Sequence, residues 1–210
     1  MISGLREIVS SYIASLSLND IEKEVFWRSY TRIEGDETPV GSSVIIDSLS
    51  LSVCQQRLAH LNERTARRKK DGVYYTDEDL TEYMVYNAFN CYVDESASNV
   101  HDVGVIFQKF KTSPSTTIER VLKASTFDPT CGAGEFLLSA AKFKYKILQA
   151  IGRPYTDKDL AIILSSFRGN DIERDSIVIT QIRLLLQYYE YLQDKRNVSL
   201  LENGLEAILM

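Results

Sequence analysis

The chain has 210 residues, 44% of them apolar and 25% charged, the balance of an ordinary globular protein. Its apolar runs are only a few residues long, far short of the roughly 20 that cross a bilayer, and Met1–Arg6 has no basic stretch leading into an apolar one, so no secretory leader is expected. The net charge of −5 does not advertise a nucleic-acid binder, although a groove can be basic on an acidic protein. Three cysteines (Cys54, Cys91, Cys131) and two histidines, without metal-ligand spacing, argue against a disulfide framework or a metal site. A reducing cytoplasm is the expected home.

Residues 1–71 read as an all-helical N-terminal region. Leu5, Ile8, Val9, Tyr12, Ile13 and Leu16 recur at three- and four-residue steps, the mark of one apolar helix face. Asn19 or Asp20 offers an N-cap for a second helix carrying Ile21, Val25, Phe26 and Trp27. The turn-rich stretch from Glu34 to Pro39 breaks the pattern, and a third helix is expected from about 48 to 70. Its end carries a dense basic run, Arg64 to Lys70, a solvated helix end or a phosphate-binding surface.

Residues 72–210 have a different character. Thr76 reads as the N-cap of a helix with acids in its first turn and Leu80, Met84, Val85, Ala88 and Phe89 behind them. Residues 94–117 are polar and irregular around an apolar island at 103–110, and a brief helix follows through Leu122. Ser125–Asp128 reads as a short buried strand, followed by Pro129-Thr130-Cys131-Gly132-Ala133-Gly134 and a helix with Phe136, Leu137, Ala140, Ala141, Phe143 and Ile147 inward. A helix over 157–165, a strand over 167–171 and a long helix with Ile177, Val178, Ile182, Leu185 and Leu186 complete the pattern. Strand, glycine turn, helix, then strand and helix again imply an α/β fold with parallel strands.

The glycine turn is the first feature with chemistry. Glycines there let a ligand approach the backbone, and the N–H groups of a new helix favour an anion. Asp128 and Asp171 are expected at the carboxyl ends of neighbouring strands, where an acid can accept from ribose hydroxyls. A dinucleotide fingerprint would need Gly or Ala where Leu137 stands, and a P-loop would need Gly-Lys-Ser/Thr. A ligand with an ammonium, a carboxylate and an adenosine fits better.

Asp128 to Leu137 resembles the S-adenosylmethionine motif of adenine-N6 DNA methyltransferases, those of type I and fused type II restriction-modification systems above all. Gly72-Val73-Tyr74-Tyr75-Thr76 resembles that family's preceding motif, with Asp77 in place of its usual Pro, and Gly169-Asn170-Asp171-Ile172 resembles its next one. The resemblance implies a partial Rossmann-like methyltransferase domain after the helical region. It also implies S-adenosylmethionine held by Tyr75, Thr76, Asp128, Thr130, Gly132, Gly134, Asp171 and Ile172. Arg67, Arg68, Lys69 and Lys70 would meet double-stranded DNA, with a specificity or restriction subunit as a further partner. The family's catalytic Asn/Asp-Pro-Pro-Tyr/Phe is not among these residues: the four prolines are Pro39, Pro114, Pro129 and Pro154, none adjacent. No catalytic residue is named, and the catalytic half of the domain is expected to be missing. The alternative is a truncated or degenerate module that binds or serves as a scaffold without catalysing. Under either reading, another chain or a second copy is a candidate to complete the sheet.

Overall fold

The computed structural model describes residues 2–35, 49–63, 76–154 and 156–192. The chain opens with α1 (Leu5–Ser15), α2 (Asp20–Glu34) and α3 (Leu51–Glu63), then α4 (Glu78–Val93), α5 (Gly104–Lys111) and α6 (Ser115–Lys123). After these come β1 (Thr126–Asp128), α7 (Glu135–Ala150), α8 (Asp157–Leu164), β2 (Phe167–Gly169) and α9 (Arg174–Tyr191).

The helix starts follow capping chemistry. At α2, Asn19 accepts from the Glu22 N–H while Glu22 accepts from the Asn19 N–H, both at 3.0 Å, a reciprocal box that satisfies two otherwise unpaired donors. The helix ends at Gly35, whose φ of 74° suits a residue without Cβ. Thr156 and Asp159 build the same box at α8. The cap of α4 is Asp77, which accepts from the Asp79 N–H at 2.9 Å, so the expected Thr76 cap lies one residue early. The stretch read as irregular around 103–110 is helix α5. Asp102 accepts from the Gly104 N–H at 2.9 Å, and Ile106 and Phe110 are buried at an i, i+4 spacing. Eight residues are too few for the periodicity to stand out in the sequence.

Helix α7 is the centre of the packing. Along α4 it makes the Thr81–Ser139 hydroxyl pair at 2.9 Å, an ion pair between Lys142 and Glu78 and one between Lys146 and Glu82 at 3.3 Å. Phe143 gathers the rings of Phe89 at 4.8 Å and Tyr86 at 4.9 Å. Helix α9 is buried along most of its length and packs on α2, α3, α7 and α8. Tyr188 and Tyr189 are fully buried. The Tyr189 hydroxyl donates to the Glu22 carbonyl at 2.9 Å, and its ring meets Phe26 edge-on at 5.1 Å. One buried apolar cluster therefore runs from Leu5 to Leu192, with members on both sides of the 71/72 boundary.

The expectation of a Rossmann-like methyltransferase domain is overturned. Helix makes up 69% of the described residues, and the strands are one parallel pair, three residues each, with Asp128 opposite Gly169. The local strand–turn–helix signals were sound. The apolar helix faces, however, bury mainly against other helices, and the two strands are too short to organise a sheet with layers on it. Nor is β1 the buried strand expected, because Phe127 is 64% exposed. Among the described residues no helix is long and apolar enough to cross a membrane.

Candidate functional site

The parallel register sets the site. Beyond the strands the ladder continues: the Asn170 N–H donates to the Asp128 carbonyl at 2.9 Å, and the Cys131 N–H donates to the Asn170 carbonyl at 2.8 Å. Asp128 and Asp171 consequently leave adjacent chain segments at the same end of the pair, as the sequence led us to expect.

The turn between β1 and α7 needs its glycines. Gly132 has φ 53° and Gly134 φ 86°, a region that costs residues with a Cβ about 1–2 kcal/mol. They differ in their surroundings. A Cβ on Gly134 would lie 2.6 Å from Thr180 Cγ2, whereas one on Gly132 would meet nothing within 4 Å. Gly132 is open above the turn, and Gly134 is clasped by α9. A Cβ on Gly169 would stand 3.1 Å from both Cys131 Sγ and Leu137 Cδ1, so the buried Cys131 thiol packs against the strand end.

Asp171 does more than the sequence implied. Its Oδ2 accepts from the Gly132 N–H at 2.8 Å, across 39 residues of chain, and its Oδ1 accepts from the Glu173 N–H at 2.9 Å. It therefore ties the glycine turn to the start of α9. A carboxylate has about four acceptor positions, so two remain for a ligand. Asp128 Oδ1 accepts from the Thr130 N–H at 3.1 Å, while its other oxygen has no partner among the described residues. Burial raises the Asp128 pKa above the ordinary carboxylate value, and the neighbouring Asp171 charge raises it further against the opposing Thr130 hydrogen bond. No described cation pairs with either acid. Two carboxylates without a counter-charge suit a ligand bearing positive charge and hydroxyl donors.

The other expected residues are placed unevenly. Thr130 and Ile172 are exposed, Ile172 at 97%, an apolar side chain offered to solvent beside Asp171. Thr76 is half-buried and has no hydrogen bond to the turn. The Thr81–Ser139 contact joins the amino-terminal ends of α4 and α7, which puts Thr76 at the same end of α7 as the glycines. Tyr75 and the basic residues Arg67, Arg68, Lys69 and Lys70 lie outside the described residues.

Three residues that sequence reasoning passed over support the turn from below. Thr180 donates to the Gly132 carbonyl at 2.9 Å. Arg183 donates to the Ala133 carbonyl at 2.6 Å and pairs with Glu135. Gln55 exchanges two hydrogen bonds with Arg183, both 2.9 Å. A signal was available: Thr180, Arg183 and Gln187 make a polar stripe at three- and four-residue steps within Val178–Tyr189, a buried and largely apolar stretch whose other polar residue is Gln181. On the far side of these supports a cleft of about 380 Å³ opens between α3, α4, α7 and α9, lined by Gln55, Glu135 and Arg183 together with Glu78, Glu82, Lys142 and Lys146. Neither Asp128 nor Asp171 lines it. No family model matches the chain, and no curated protein or solved structure matches it.

Proposed function

We propose that this chain binds S-adenosylmethionine at the carboxyl ends of β1 and β2, as the cofactor-holding portion of an adenine-N6 DNA methyltransferase. The observation that carries the reading is the convergence of Asp128 and Asp171 on the open glycine turn with no counter-charge among the described residues. Asp128, with a free oxygen, suits the ammonium of the ligand. The remaining acceptor positions of Asp171 suit the ribose hydroxyls, and the exposed Ile172 offers an apolar surface to the adenine. The first N–H groups of α7, which no intrahelical carbonyl can satisfy, favour the carboxylate. When bound, the sulfonium supplies an electrophilic methyl group.

The reaction class comes from the three motif resemblances between Gly72 and Ile172. Asn/Asp-Pro-Pro-Tyr/Phe does not occur in the 210 residues, so these residues are assigned the holding of the cofactor and not the transfer step. Under this reading double-stranded DNA is the partner, met through Arg67, Arg68, Lys69 and Lys70, with a specificity or restriction subunit beside it. A reducing cytoplasm is the compartment, in keeping with the free thiols of Cys54, Cys91 and Cys131.

Calorimetric titration tests the pocket. S-adenosylmethionine should release or absorb heat with 1:1 saturation, and NAD+ should not. Absence of binding by S-adenosylmethionine, or equal binding of NAD+, overturns the reading.

A further inference from the structure

We infer that Thr180 and Arg183 of α9, the latter locked by Gln55 of α3, are positioning residues that aim one backbone donor of the glycine turn, the Ala133 N–H, at the ligand. The inference rests on the turn being the ligand cradle. All three side chains are buried, with Gln55 at 7%, Thr180 at 4% and Arg183 at 2% exposure.

The argument is one of peptide planes. In a trans peptide the carbonyl and the following N–H point in opposite directions, and none of the described peptides is cis. Thr180 draws the Gly132 carbonyl towards α9, so the Ala133 N–H points away from α9, and it meets no acceptor among the described residues. Arg183 draws the next carbonyl, that of Ala133, inward as well. That sends the Gly134 N–H back to the Cys131 carbonyl at 2.7 Å. The Gly132 N–H is already spent on Asp171. Of the three consecutive amides 132–134, only the middle one is left to face outward.

The Arg183 anchor is itself fixed. A guanidinium has its donors in a rigid fork. Here the Nε edge is held by Gln55, so Nη1 is directed at Ala133 and Glu135. Gln55 also donates to the Arg183 carbonyl, so its amide is oriented by both contacts. A residue of the N-terminal helices thus reaches the ligand turn through a single intermediary.

Amide hydrogen exchange by NMR, together with S-adenosylmethionine titration, tests this on the whole chain. Thr180→Val keeps the shape and loses the donor. It should speed exchange at Gly132 and Gly134 about tenfold and weaken the ligand about tenfold, while the Thr126 amide in the strand ladder keeps its rate. Thr180→Ser should restore both quantities, and Gln55→Ala should loosen the same amides more weakly. Unchanged turn amides overturn the inference, as does acceleration spread equally to Thr126, or a loosened turn with unaltered affinity. If the wild-type chain binds no S-adenosylmethionine, the reading of the ligand falls, and the exchange rates alone still decide whether these residues position the turn.

Discussion

At the amino end of the β1–β2 pair the Lys144 ammonium is sealed from water, whereas at the carboxyl end the Asp128 and Asp171 carboxylates stand beside an open turn. Lys144 is fully buried. It donates to the Leu122 carbonyl at 3.2 Å, the Ala124 carbonyl at 2.7 Å and Ser166 Oγ at 2.6 Å. The Phe89 and Phe167 rings lie at 5.6 and 5.0 Å. No described acid accompanies it, and burial pulls its pKa down to about 7. Both ends hold charge without an opposite charge among the described residues, but they resolve it differently. The sealed end gives neutral oxygens to the amine and joins the segments entering β1 and β2. The open end keeps acceptor capacity unused. Uncompensated charge is structural where it is sealed and available to a ligand where it is open.

Breaking the sealed end should cost most. Lys144→Ala leaves a cavity and unpaired carbonyls, and urea unfolding should show a loss of about 4 kcal/mol. At the open end the two glycines separate shape from conformation. Gly134→Ala should cost about 3 kcal/mol, from a left-handed φ together with the collision on Thr180. Gly132→Ala carries the φ penalty alone and should cost about 1 kcal/mol.

A pH series sharpens the contrast. The Lys144 pKa is about 7 in the folded chain against an ordinary 10.5, so between these values the unfolded chain binds more protons and stability rises with pH. Below about 7 the burial penalty is fully present. Above about 9 the rise is opposed, because burial lifts Cys54 to about 12 and Cys131 to about 11, and those thiols ionise first in the unfolded chain. Between pH 7 and 9 the gain should be about 2 kcal/mol, and Lys144→Met should flatten it. The smallest effect belongs to the acids. Asp128→Asn removes like-charge repulsion and should raise stability by about 0.5 kcal/mol, screened by solvent.

The open end was largely legible in the sequence and the sealed end was not. Asp128, Gly132, Gly134 and Asp171 sit together because a strand, a glycine turn and a helix are local patterns that repeat. The hold of Asp171 on the Gly132 N–H was hidden, since it links positions 39 residues apart. Lys144 looked like any polar residue between Phe143 and Tyr145. Its importance arises only where α7 passes the chain ends entering both strands. The fold class was misjudged for a related reason. Two strand–helix units suggested a sheet architecture, but the burial of α9 against α2 and α3 is long-range helix packing that no local pattern announces.

The most direct test of the contrast is S-adenosylmethionine titration of two folded variants, one from each end. If the open end is the ligand site, Asp128→Asn should lose about tenfold or more in affinity with its stability intact. Lys144→Met should bind within about threefold of wild type, since its effect is confined to the fold. Equal affinity in wild type and Asp128→Asn, or a greater loss in Lys144→Met, would contradict the account.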